Sequence, residues 1–263
     1  MYSEEHKIYI KKIKKNRLLV IISQLFIILS IIVIWQLLAN FKVINTFITS
    51  SPLDILNTII KLNNTNNLYI HIWVTVYETM ISFLLGTLIG TFIASILWWN
   101  KFIAKVLDPY LTVLNSLPKV ALGPIIIIWG GAGINSIIIM ALLISVITTI
   151  ITVYQGFKQT DPSKVKLMQS FNANKWQVYS KLILPSNFPN IISVLKMNVS
   201  MALIGVIMGE FLVSKQGIGY LIVYGSQVFN LDLVMTGIVV LAIVAALMYY
   251  VVLYIEKRLI KHD

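Results

Sequence analysis

Few residues in this 263-residue chain could do chemistry. Cysteine is absent, so there is no disulfide framework, thiolate metal site or cysteine nucleophile. His6, His71 and His262 are the only histidines and lie far apart in sequence, which gives no metal-ligand spacing. No stretch reads glycine, four residues, then Gly-Lys-Ser/Thr, so there is no phosphate-cradling P-loop. What remains is a pair of carboxylates, Glu78 and Glu210, each inside or at the edge of a long apolar run. A carboxylate at membrane depth is costly and by default marks a pathway, a gate or a bound partner. Glu210 reads either as a pathway or gate group or as half of an interfacial pair with Lys215. Glu78 reads as an interhelical hydrogen-bonding group. No catalytic residue, metal ligand or cofactor-binding residue is expected in the chain.

The elements that must position these carboxylates follow from composition. Hydrophobic residues make up 58% of the chain and charged residues 12%. A soluble domain carries roughly 45–50% apolar and about 25% charged residues, so a bilayer is the fitting solvent. The chain is expected to be an all-α integral membrane protein of six spans. Span one is Leu18–Leu38, after a basic segment, and Leu38-Ala39-Asn40 is a poor cleavage site, so it reads as an uncleaved helix. A short surface helix is expected at Pro52–Leu62, started by Ser51-Pro52. Span two lies within Val74–Trp99. Span three lies near Val120–Trp129, extended by the apolar residues before Pro118 and kinked by Pro118 and Pro124. Gly130–Gly133 turns into span four, Ser136–Tyr154. Span five is Phe188–Val213 and span six Leu233–Ile255, with a semi-apolar piece, Tyr220–Phe229, between them. Gly86-xxx-Gly90 and Gly205-xxx-Gly209 allow close helix approach, the second along a pathway or dimer seam. Trp35, Trp98, Trp99 and Trp129 fall near span ends, as interfacial anchors do.

The formal charge of +11 would suggest nucleic acid on a soluble protein. Sorted by connection, 18 of the 21 basic residues fall on one set of sides: the N-terminal segment, the second and fourth connections (Lys196 counted with the fourth) and the C-terminus. Only Lys42, Lys61 and Lys215 fall opposite. The positive-inside rule then puts both termini in the cytoplasm, and no nucleic-acid partner is expected. The organisation is a basic segment, 1–17, a six-span domain, 18–255, with a cytoplasmic loop at 158–185, and a tail, 256–263.

The loop is the most informative stretch. Asp161-Pro162 is a helix start, and Val165, Leu167, Met168 and Phe171 recur at helical spacing. Asn172 and Asn174 can break that helix, since Asn tolerates the left-handed region. A second short helix, Lys175–Leu184, is expected to end before Pro185. Such a helix could lie on the membrane surface or dock into the groove of a cytosolic partner.

The stretch Lys166–Pro185 resembles the cytoplasmic loop of permease subunits of binding-protein-dependent ABC importers. That loop reads Glu-Ala-Ala, three residues, Gly, nine residues, Ile, one residue, Leu-Pro. Here Lys166, Leu167 and Met168 stand at Glu-Ala-Ala, Asn172 at Gly and Leu182 at Ile, while Leu184 and Pro185 match. Leu107-Asp108-Pro109-Tyr110, Leu117–Pro124, Ile128–Gly133, Gly209–Val213 and Gln216–Ile222 resemble the nitrate/sulfonate/taurine-type subgroup, over roughly residues 70–255.

The resemblance implies a type I importer fold, six spans with both termini inside, in the plasma membrane of a bacterium. It implies a non-catalytic subunit that pairs with a second permease copy, rests on a cytosolic ABC ATPase dimer and receives solute from an extracytoplasmic binding protein. ATP and Mg would bind the ATPase, leaving this chain without a cofactor. The loop helix, about Lys164–Phe171, becomes the coupling helix, with Val165, Lys166, Leu167, Met168 and Phe171 as contacts, Asn172 setting the angle to the next helix and Pro185 closing the motif. Glu210, Gly205, Gly209, Pro118 and Pro124 become pathway or gate residues. The family often carries a basic residue near Glu78, so no role transfers there. The cargo would be a small solute, a sulfonate-, taurine- or nitrate-like anion or a vitamin precursor. The alternatives are another ABC subgroup, an autonomous channel or secondary carrier, and an integral-membrane enzyme. The last has no converging catalytic groups, and no inverted repeat favours a carrier.

Overall fold

A computed structural model of the chain describes residues 4–65 and 67–259. Lys261 and His262, with the end of the expected 256–263 tail, lie outside the described residues. Every regular element among the described residues is helical: α1 (Glu4–Asn40), α2 (Thr46–Thr49), α3 (Pro52–Asn64), α4 (Asn67–Trp99), α5 (Lys101–Ser116), α6 (Gly123–Gly130), α7 (Ile134–Lys158), α8 (Pro162–Ser170), α9 (Lys175–Val178), α10 (Leu184–Ser186), α11 (Phe188–Val213), α12 (Ile218–Gln227) and α13 (Leu231–Leu259). Five of them, α1, α4, α7, α11 and α13, are long and apolar enough to cross a bilayer. A sixth crossing exists only if α5 and the stretch Lys119–Gly130, bent by 90° from each other, are counted as one.

That bend corrects the expected third span. Pro118 lacks an N–H and disfavours the helical region for the residue before it. Leu117 is accordingly extended (φ −67°, ψ 139°), and the chain restarts as a tight turn of helix at Lys119–Leu122 before α6. Pro124 sits in the first turn of α6, where its missing donor costs nothing. The span is therefore broken at Pro118 rather than kinked at both prolines. Gly131 (φ 77°) and Gly133 (φ 149°) make the turn into α7, both in backbone regions that favour glycine.

The other expected spans appear with modest changes. α11 has the expected bounds, α4 starts earlier and ends at Trp99 as expected, α7 is longer at both ends, and α13 runs two residues earlier and four later. α3 starts where Ser51 caps it: the Ser51 hydroxyl oxygen accepts from the Asp54 N–H at 3.2 Å, with Pro52 in the first turn. α2, capped by Asn45, was not anticipated. Lys196, sorted by sequence with the fourth connection, lies inside α11 and pairs with Glu256 of α13 at 2.9 Å.

The core is the packing of α4, α7 and α11 against one another, with α12 and α13 closing over one side. Glycine makes the α4–α7 approach possible. A Cβ at Gly86 would strike the Ser145 side chain, and one at Gly90 the Thr149 side chain. Where backbones come this close, small residues and buried hydroxyls replace bulky packing. Asn198 of α11 joins the three helices: its Nδ2 donates to Thr87 Oγ1 at 2.8 Å and to Thr149 Oγ1 at 2.7 Å, and the side chain is fully buried. Around this polar thread, Phe83, Val199, Ile218, Val240 and Val244 form an apolar cluster. α1 lies apart, with none of its apolar stretch buried, and leans on the rest chiefly through α3. There Gln36 Oε1 accepts the Leu53 N–H at 3.1 Å.

Candidate functional site

The loop after α7 is built by local chemistry. Asp161 Oδ1 accepts the Ser163 N–H at 2.8 Å and starts α8, with Pro162 in its first turn. α8 stops at Asn172, which takes the left-handed conformation (φ 55°) while its N–H donates to the Gln169 carbonyl at 2.9 Å. Asn is the best substitute for glycine in that position. Asn174 does a different job from the one expected. It is extended (φ −72°, ψ 167°) and caps α9 reciprocally with Gln177, each side-chain oxygen accepting the other's N–H at 2.8 Å.

The second loop helix also departs from expectation, because it does not stop before Pro185. After α9 the backbone widens over Tyr179–Ile183 into a turn of π-helix, then continues through Pro185 in α10. A regular α-helix would drive the proline ring into the carbonyl four residues back and leave that carbonyl without its donor. The wider turn shifts the register, and such single-turn widenings are the usual way a helix absorbs one residue out of phase.

The residues expected to meet a partner divide into two sets. Val165 and Met168 turn toward the body of the protein and pack on the cluster of Phe157, Val178, Tyr179 and Ile183. Leu167 and Phe171 point away, 58% and 78% exposed, while Lys166 is exposed and borders the hollow that Val165 also lines. Pro185 lies in α10, behind the widened turn.

An aromatic cluster ties this loop to the end of α4, and sequence reading missed it. Trp98 and Trp99 stand against Tyr179 at centroid distances of 5.2 and 6.2 Å, and Trp176 joins them. The Tyr179 hydroxyl donates to Ser95 Oγ at 2.6 Å. Lys175 Nζ donates to the Trp99 carbonyl oxygen and lies 5.1 Å from the centre of its ring. Trp98 and Trp99 had signalled only a span end. The aromatics that answer them sit far away in sequence.

The second feature is a polar node at the opposite end of the core. Glu210 is 2% exposed and faces Glu78, 1% exposed, on α4. Glu210 Oε1 accepts from the Thr75 hydroxyl at 2.6 Å, and Oε2 from the Gly219 N–H at 2.6 Å. Thr75 Oγ1 in turn accepts the Ile218 N–H at 2.8 Å, and His71 Nδ1 accepts the Gly217 N–H at 3.0 Å. The first N–H groups of α12, normally unsatisfied at a helix start, are thus held by side chains of α4 and α11. Lys215 is exposed and is not the partner of Glu210, contrary to the alternative considered for that pair. Gly217 has φ 106°, and a Cβ there would strike the Glu210 carboxyl, so glycine is required twice over.

The remaining sequence-derived residues do not converge on this node. Gly205 and Gly209 lie against Ala141 and Ile137 of α7, and a Cβ on Gly205 would overlap the Ala141 backbone. Pro118 and Pro124 lie at and just after the 90° break. Among the described residues no group of three or more acidic, His or Cys side chains could hold a metal.

Comparison with known proteins gives a consistent result. The model of the family described as binding-protein-dependent transport system inner membrane component matches residues 86–261. A Bacillus subtilis protein assigned to aliphatic sulfonate transport as a permease is 28% identical over 231 residues, covering 88% of this chain and 84% of that protein. The formylaminopyrimidine transport permease protein of Halalkalibacterium halodurans is 26% identical over 192 residues, covering 73% and 76%. In structure, the chain is similar to one from a bacterial alginate ABC transporter in complex with an alginate pentasaccharide-bound periplasmic protein. The TM-score is 0.64 at 16% identity, covering 96% of this chain and 98% of that one.

Proposed function

The chain belongs to the family of binding-protein-dependent transport system inner membrane components, and from that membership we propose how it works. It is a non-catalytic, multi-pass permease component of an ABC transporter. In our reading two copies line a pathway across a bacterial plasma membrane, each seated on one subunit of a cytosolic ATPase dimer, and an extracytoplasmic binding protein delivers the solute. Both termini face the cytoplasm. α8 enters a cleft of the ATPase, and closure of that dimer on ATP pushes α8 and rocks the spans.

The observation that carries this reading is the two-sided character of α8. Val165 and Met168 fasten the helix to the body, so force on it reaches α7 and the widened turn before α11. Leu167 on this helix of nine residues and Phe171 at its C-terminal cap are left outside, the arrangement of an apolar anchor laid into a partner's groove. Asn172, in its left-handed conformation, sets the angle between α8 and α9. The carboxylate node of Glu210 and Glu78 lies at the outer end of the spans and serves as a gate. The cargo is a small solute of the sulfonate, taurine or nitrate kind or a vitamin precursor. The relatives named for sulfonates and for formylaminopyrimidine support that range.

The test is co-purification. The double change Leu167→Asp with Phe171→Asp should release the ATPase subunit while the permease still inserts and purifies. Full solute transport by the purified permease alone would refute the reading. The cargo is found by thermal-shift screening of the cognate binding protein against the named compounds.

A further inference from the structure

Beside the coupling loop, the structure holds a cavity of about 1150 Å³ between the ends of α4 and α7, the start of α5 and the inner face of α8. Five lysines line it: Lys101, Lys105, Lys158, Lys166 and Lys175. Among the described residues no acidic side chain lines it, and Asp108 stands close enough to act on the lining residue Tyr154. Lys175 lies over the Trp98 and Trp99 rings, and Lys158 over the Tyr154 ring at 5.4 Å. Among the described residues none of the five is paired with a carboxylate; the ion pair seen elsewhere joins Lys196 to Glu256. The five ammonium groups are exposed and screened by water, and together they make the space electropositive, so an anion placed among them is attracted to all five.

We propose that this cavity binds a phosphate-ester anion, supplied by the headgroup of an anionic phospholipid. Lysine ammonium groups are natural phosphate binders. Basic pockets between span ends on the cytoplasmic side are where anionic headgroups bind. The rest of the wall fits the same ligand. Trp98 and Trp99 end an apolar span with amphipathic rings at headgroup depth. Phe102, largely exposed, and Val165 give an apolar side for the glycerol and upper acyl carbons. Because α8 forms one wall, a lipid bound here would touch the same helix that is read as meeting the ATPase. The site rests on the permease reading above, which puts this end of the spans at the cytoplasmic face.

The test uses the purified permease–ATPase complex in detergent, where sidedness plays no part and a failure here is separable from a failure of the topology. Binding of phosphatidylglycerol and phosphatidylcholine is counted by native mass spectrometry. The wild-type complex should prefer phosphatidylglycerol. The change of Lys101, Lys105 and Lys158 together to Gln should weaken its binding on the order of a hundredfold, and the same three changed to Arg should keep it. If the triple variant does not assemble, Lys105→Gln alone should cost about fivefold. Excess inorganic phosphate is the second probe. If it displaces the lipid, the pocket serves a soluble phosphate as well; if it does not, the headgroup is the ligand. Phosphatidylglycerol binding unchanged by the Gln variants would overturn the proposal. So would loss of the ATPase subunit with lipid binding unchanged, which would assign the lysines to an acidic protein surface.

Discussion

Thr75 shows how much one side chain can hold. Its hydroxyl donates to Glu210 and accepts from the start of α12, so a single group joins α4, α11 and α12. Thr75→Val keeps the shape and removes both bonds, leaving a buried N–H and a buried carboxylate oxygen without partners. The expected cost is about 1–3 kcal/mol, read as a lower unfolding midpoint of the assembled complex, and Thr75→Ser should recover most of it. The carboxylates should also respond unequally. Glu210 accepts from two donors, so Glu210→Gln puts an amide N–H against one of them. Among the described residues Glu78 Oε2 has no hydrogen-bond partner, and Glu78→Gln should be the milder change in the same assay. Sequence reading found both carboxylates, because a charge in an apolar run stands out. It missed their partners because Thr75 lies 135 residues from Glu210, and Lys215, close in sequence, was the only cation in view.

Asn172 sits at the corner between α8 and α9, the helices proposed to couple to the ATPase. Proline fixes φ near −65° and has no N–H, while Asn172 sits at φ 55° and donates to Gln169. Asn172→Pro should therefore uncouple ATP hydrolysis from transport, and Asn172→Gly should retain coupling, measured as binding-protein-stimulated hydrolysis in reconstituted complex. Coupled hydrolysis surviving the proline would sink the assignment of α8. The loop helices were legible at their starts, where Asp161 and Pro162 sit in fixed positions, and less so at their ends. Pro185 reads as a stop by every local rule, but the neighbouring turn could widen, and packing of Tyr179 and Ile183 decided the matter. In the third span the bend at Pro118 was legible but its size was not: hydropathy sums over a window and does not register a right-angle break.

At the scale of the molecule, the spans were readable because a bilayer demands continuous apolar length, a property that a sequence displays directly. Which helices pack together was not, since the Gly86–Gly90 spacing announces a close approach without naming α7, and Asn198 acquires its role only with Thr87 and Thr149 beside it. The charge asymmetry makes a prediction at this scale. The chain has no cysteine, so single cysteines can report sidedness without background. In cells with intact membranes, cysteines at Lys14 and Lys164 should resist a membrane-impermeant maleimide, and one at Lys61 should react. Labelling of the first two and protection of the third would invert the topology.

α1 carries a consequence of its own. At 37 residues it is about 55 Å long, against an apolar bilayer core of about 30 Å. Its apolar part spans that core, and its basic part continues as helix beyond it. Its hold on the rest is mainly through α3, near its far end. When bilayer thickness changes, a helix held in that way can tilt at small cost, a fraction of a kcal/mol per Å, whereas α4, α7 and α11 are locked together by glycine contacts and buried hydroxyls. Hydrophobic mismatch between protein and membrane would then be taken up by α1, sparing the packed core of α4, α7 and α11.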